Sequence, residues 1–146
     1  MCLSIVTDRE PKPEETGVGW KVVVIRRGYW DFSKHKYCDD NKFCGPYFRQ
    51  AYSLGEWVKA TSQAEDGIIY PNYPIGFHLF PDEKDAKIYL ESFEPGECSG
   101  YEIVVKVEYK GVLCRGYTRI TNDDIQCLDW NLHTLVVENM LVPKPC

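Results

Sequence analysis

Hydrophobic positions follow two different periods along this chain. From Trp20 to Arg27 the segment WKVVVIRR is almost continuously β-branched, the pattern of a central strand buried on both faces. YEIVVKVEY alternates instead. Tyr101, Ile103, Val105, Val107 and Tyr109 face one way, and Glu102, Lys106 and Glu108 the other, as on a half-buried strand. In PDEKDAKIYLESF, Ala86, Tyr89, Leu90 and Phe93 fall at i, i+3, i+4 and i+7, one apolar stripe on a helix. Asp82 suits its N-cap, Asp85 its first turn, and Pro95-Gly96 its end.

Shorter segments complete the pattern. The opening MCLSIVTD predicts a strand, and IGFHLF predicts another just ahead of the helix. FRQAYSL and EWVKAT read as two short strands of a loose hairpin about Gly55. Lys110-Gly111 reads as a tight turn joining YEIVVKVEY to VLCRGYTRI, and TLVVENMLV as the last strand. TDREPKPEETGVG, SQAEDGIIYPNYP and TNDDIQCLDWNLH read as connections, and GYWDFSKHKYCDDNKFCGPY as a long ordered loop. The expectation is an α+β fold, a single domain over 1–146. Seven to eight strands would form an antiparallel or mixed sheet curled around one main helix at about 82–93.

Composition narrows the function. With 146 residues, 44% hydrophobic and 27% charged, the chain is long enough for one real core. A formal charge of −5 argues against a grip on long nucleic acid, whereas a small phosphorylated ligand needs only a few well-placed cations. The opening apolar run is too short for a secretory signal, and no apolar stretch is long enough to span a membrane, so a cytoplasmic protein is expected. Seven cysteines, an odd number without such a signal, do not read as a disulfide framework.

Three groups of residues bear on chemistry. Cys2 follows the initiator methionine. Freed of Met1, it would carry a thiol beside an α-amine that titrates near neutrality; in place, it is either an internal thiol or a small hydrophobe on a strand. The second group is Tyr47, Arg49, Trp57, Lys59 and His78. Tyr47 and Arg49 share a strand face, as do Trp57 and Lys59, and cations among aromatics can seat a flat anion. His78 sits opposite Phe77 and Leu79 on its strand, either reaching a cleft or satisfied by a core carbonyl. The third is HKYCDDNKFC, where His35, Cys38 and Cys44, with His133 or Cys127, have the atoms for zinc but not the paired spacing of a ribbon or finger. No metal and no cofactor are expected.

Met-Cys-Leu at the start, Trp20-Lys21-Val22, Gly45-Pro46-Tyr47-Phe48-Arg49, and Gly76-Phe77-His78-Leu79-Phe80 before Asp85-Ala86 recur in this order elsewhere. Together they resemble a loose group of small proteins from phages and bacterial genomes, a group without an established activity. Its members often have Ile at the place of Phe77 and lack the extra cysteines. The resemblance implies a mobile-element setting, in the host cytoplasm, where small accessory proteins bind or destroy signal molecules of host defence. GFHLFPDEKDAKIYL ahead of YEIVVKVEY is also similar in arrangement to ADP-ribosyltransferase-type folds, without a trio of residues for gripping nicotinamide.

The leading expectation is a site for a small anionic, nucleotide-like ligand built from Cys2, Tyr47, Arg49 and His78, walled by Trp57 and Lys59. As an enzyme, a Cys-dependent hydrolase or transferase, it would use Cys2 as nucleophile, His78 as base or acid, and Arg49 to stabilise developing charge. As a binding protein it would sequester the ligand unchanged. A protein–protein inhibitor using the aromatic segment 29–48 is the third reading, and self-association is left open.

Overall fold

The computed structural model describes residues 3–31, 35–44, 51–60, 73–74, 76–92, 101–122 and 128–144. Its centre is β2 (Lys12–Asp31), and the β-branched run explains why. Val22 and Val23 are 2% and 0% exposed and belong to two different clusters, one on each face of the strand. β2 pairs antiparallel with β7 (Tyr101–Asn122), setting Val22 opposite Val104 and Val23 opposite Ile103. β7 in turn pairs with β8 (Leu128–Leu141), from Glu108–Leu141 to Asn122–Leu128.

Four shorter strands and a strap complete the sheet. β3 (Lys36–Cys44) returns along the far end of β2, and β4 (Ala51–Tyr52) pairs with β3. β5 (Trp57–Lys59) and β6 (Phe77–Leu79) lie end to end along β8, opposite residues 139–141 and 135–137. The amino-terminal strap, β1 (Ile5–Asp8), pairs with β7. The sheet also closes on itself. Just beyond β6, Phe80 exchanges both backbone hydrogen bonds with Trp20 of β2, each 2.8 Å, so the path β2–β7–β8–β6 returns to β2.

Each strand of this ring sends side chains to one cluster, including Val23, Leu79, Val107, Leu135 and Val137. Helix α1 (Glu83–Glu91) contributes nothing to it. Ala86 and Tyr89 of α1 instead cover Val22, Phe80 and Leu132 on the opposite face. Asp82 is the N-cap but makes no side-chain capping bond; Asp85 in the first turn accepts the His133 N–H at 3.3 Å and latches the helix to β8.

The protein is therefore mostly β, not α+β. The sheet does not curl around the helix; it closes on its own side chains, and among the described residues one short helix lies outside. Three segments read as connections are wholly or partly strand: in TNDDIQCLDWNLH, residues 121–122 end β7 and 128–133 begin β8. Lys12 and Thr16–Gly19 pair with β7, and Pro13 is tolerated because it falls in the register shift between Lys12 and Thr16, where no ladder N–H is required. Much of the expected loop 29–48 is the β2–β3 hairpin, pairing Tyr29 with Cys38 and Asp31 with Lys36. β4 and β5 form no hairpin with each other, since they pair with β3 and β8. Lys110-Gly111 does not end a strand either. Gly111, at φ +80°, shifts the phase of β7 so that both Tyr109 and Val112 face the central cluster, and the strand runs on. Among the described residues no helix is long and apolar enough to cross a membrane.

Candidate functional site

β6 is held from both sides, by β8 and by the Trp20–Phe80 bridge, and this fixes His78. Phe77 and Leu79 enter the central cluster, so alternation turns the imidazole to the other face. There Nε2 lies 3.2 Å from the Tyr73 hydroxyl, with the rings edge to face at 5.8 Å. The same hydroxyl accepts the Leu3 backbone N–H at 2.9 Å. His78 is half-buried as a residue, and desolvation of its ring, reinforced by the charge of Lys21, pulls its pKa down to about 3. A hydrogen bond to the Gly76 backbone opposes the shift, which identifies the ring as its donor. The imidazole is thus neutral at physiological pH. It donates to Gly76, Nε2 accepts from Tyr73, and Tyr73 accepts from Leu3: a directional chain from main-chain amide to phenol to imidazole.

The strap is fastened at several points besides Tyr73. Leu3 packs with Cys114 and Val136, the Ser4 N–H donates to the Tyr117 carbonyl at 2.8 Å, and the Ser4 hydroxyl accepts the Arg119 N–H at 3.0 Å. The backbone at Ile5 crosses so close to Gly116 that a Cβ there would overlap the Ile5 carbonyl oxygen. Cys2 precedes Leu3 in the sequence. Its own placement lies outside the described residues, as do those of Tyr47 and Arg49.

Lys21 is the residue the sequence reading passed over. It is 6% exposed, and its ammonium donates to the His78 carbonyl at 3.0 Å. Two positions from Val23, it shares the face of the central cluster, so it reaches β6 from inside the ring while the His78 imidazole leaves from outside. Burial lowers its pKa from 10.5 to about 8. Among the described residues no carboxylate pairs with it. The available signal was a lone charge inside WKVVV, a position the run of valines already marked as interior.

Trp57 and Lys59 are not brought to His78. Both are exposed on β5; Trp57 and Lys59 lie opposite Leu141 and Asn139, whereas His78 lies opposite Val136. At about 3.3 Å per residue that is roughly 10–16 Å along β8. The Lys59 ammonium meets Glu138 at 3.4 Å in an exposed pair. The H-x2-C-x5-C spacing does not gather metal ligands either. Cys38 and Cys44 lie along one strand, opposite Tyr29 and Val24, roughly 20 Å apart. His35 sits exposed in the turn before it, and His133 stacks on Tyr117 with ring centroids 5.7 Å apart; Cys127 lies outside the described residues. No family model, curated protein or solved structure matches this chain.

Proposed function

We propose that this protein binds and holds a small anionic, nucleotide-like molecule at the end of the sheet where the strap, Tyr73 and His78 meet. The observation that carries the reading is the Leu3–Tyr73–His78 chain. Polar groups of this kind are costly to bury, yet they are spent on tying the Leu3 backbone amide to a neutral imidazole. The ligand's negative charge is drawn by Lys21, behind the same strand. Trp57 and Lys59 would take no part in a direct contact.

Sequestration is favoured over cleavage by the state of His78. A base for a thiol works best with a pKa near the operating pH, and this ring is held near 3. Its role is to orient Tyr73. Equilibrium dialysis against nucleoside mono-, di- and triphosphates, followed by chromatography of the recovered ligand, tests both halves. Retention of about one unchanged equivalent supports the reading. Conversion beyond one equivalent would make the protein an enzyme and return Cys2 to the role of nucleophile, and no retention of any member would overturn the proposal.

A further inference from the structure

The sheet is interrupted where β2 changes partner. Trp20 exchanges both backbone bonds with Phe80, and from Val24 onward β2 pairs with β3, starting opposite Cys44. Continuing the first register would set Val22 opposite His78, but among the described residues no backbone bond joins them. On an antiparallel strand the N–H and C=O of one residue point to the same side, and residues two apart point alike. The N–H and C=O groups of Val22 and of His78 therefore all face the notch between β2 and β6. The Lys21 ammonium has moved in to meet the His78 carbonyl. Among the described residues one acceptor serves an ammonium that has three donors and is almost wholly buried.

We propose that this notch is an oxyanion site, in which the Lys21 ammonium and the Val22 and His78 N–H groups hold the phosphate group of the ligand. The inference rests on the function proposed above and supplies the place of its charge. Burying an ion is tolerated where a counter-charge and hydrogen bonds compensate it, and here the compensation among described residues stops at a single carbonyl. Two amides and a cation supply donors for an oxyanion, and of the two carbonyls beside them that of His78 is already taken by Lys21. No carboxylate among the described residues competes for the position.

Urea denaturation in rising inorganic phosphate, with chloride holding ionic strength constant, tests the site without any nucleotide. The wild type should gain stability along a saturating curve, because a ligand of the native state alone stabilises by mass action. Lys21→Met should lose that gain and Lys21→Arg should retain part of it. In the wild type itself, the backbone amide resonances of Val22 and His78 should move together with phosphate, which keeps the test open should the variants fail to fold. An acetate arm reads whether planar carboxylates share the notch; a response to acetate equal to or above that to phosphate would overturn the assignment to phosphate. Equal phosphate gains in wild type and Lys21→Met, or unmoved Val22 and His78 amides, would overturn the site. If nucleotides are nevertheless retained in dialysis, the notch has failed while the binding reading stands; loss of both removes the two together.

Discussion

Replacing Lys21 by methionine should stabilise the protein near neutral pH, although it removes a hydrogen bond. Burial takes the amine from 10.5 to about 8, and at about 1.4 kcal/mol per pKa unit the folded state forgoes roughly 3 kcal/mol by keeping the ammonium charged inside. Methionine has a similar length and no charge. Against that gain stands the His78 carbonyl, which loses its donor at a cost of about 1–3 kcal/mol. The net effect at pH 7 is a variant from equal to about 2 kcal/mol more stable. The pH dependence is sharper. Between pH 8 and 10.5 the unfolded chain binds a proton at Lys21 that the folded chain has released, so wild-type stability gains a rising contribution through this window. Lys21→Met lacks that contribution. Urea denaturation of both proteins at several pH values gives the difference, in which the opposing effect of Tyr109, raised by its own burial, cancels. The stability advantage of methionine should shrink by about 3 kcal/mol from pH 8 to 10.5. An advantage that does not change with pH would refute the claim that Lys21 is charged and uncompensated.

Tyr73→Phe strips the partner from both the Leu3 N–H and His78 Nε2 and should cost about 1–3 kcal/mol, read by denaturation, with faster hydrogen exchange at Leu3. Gly116→Ala places a methyl against the Ile5 carbonyl, so the strap must lift; amide exchange at Ser4 should accelerate while the β7–β8 ladder stays protected. Burial raises the Asp85 pKa, with the His133 N–H opposing it, so the folded state holds its proton above the ordinary 3.8. Stability should fall as pH climbs from 3.8 through that raised value, and Asp85→Asn, which keeps an oxygen for His133, should abolish this slope in thermal melts.

Much of the sheet's core was legible because its side chains obey simple periods. Val22 to Val24 announced a strand buried on both faces, Ile103 to Tyr109 a face, and Ala86 with Tyr89 a helix stripe. What misled was polarity where backbone pairing, not burial, makes the strand. Thr16 to Val18 and Lys36 to Cys38 lie in ladders whose bonds are blind to side-chain type. Gly111 misled differently: Lys-Gly between two strand patterns signals a turn, yet here the glycine, at a left-handed φ, shifts the phase of a continuous strand. Ring closure through Trp20 and Phe80 was beyond reach, since an isolated bridge between distant residues leaves no local pattern. The site was legible by half. Opposition to Phe77 and Leu79 placed His78 on its own face, but Tyr73 lay in a segment read only as loop. Lys21 looked like one polar residue in a valine strand until β6 was seen to offer it a carbonyl.

The account stands or falls on whether an anion's affinity depends on Lys21. Calorimetric titration of a nucleoside phosphate retained in dialysis, into wild type, Lys21→Met and Lys59→Met, measures this directly. The account predicts binding near one equivalent by wild type and by Lys59→Met, whose lost ammonium was exposed and paired with Glu138. Affinity should fall at least about tenfold, 1.4 kcal/mol, in folded Lys21→Met. Equal affinity in wild type and Lys21→Met, or a loss confined to Lys59→Met, would contradict it.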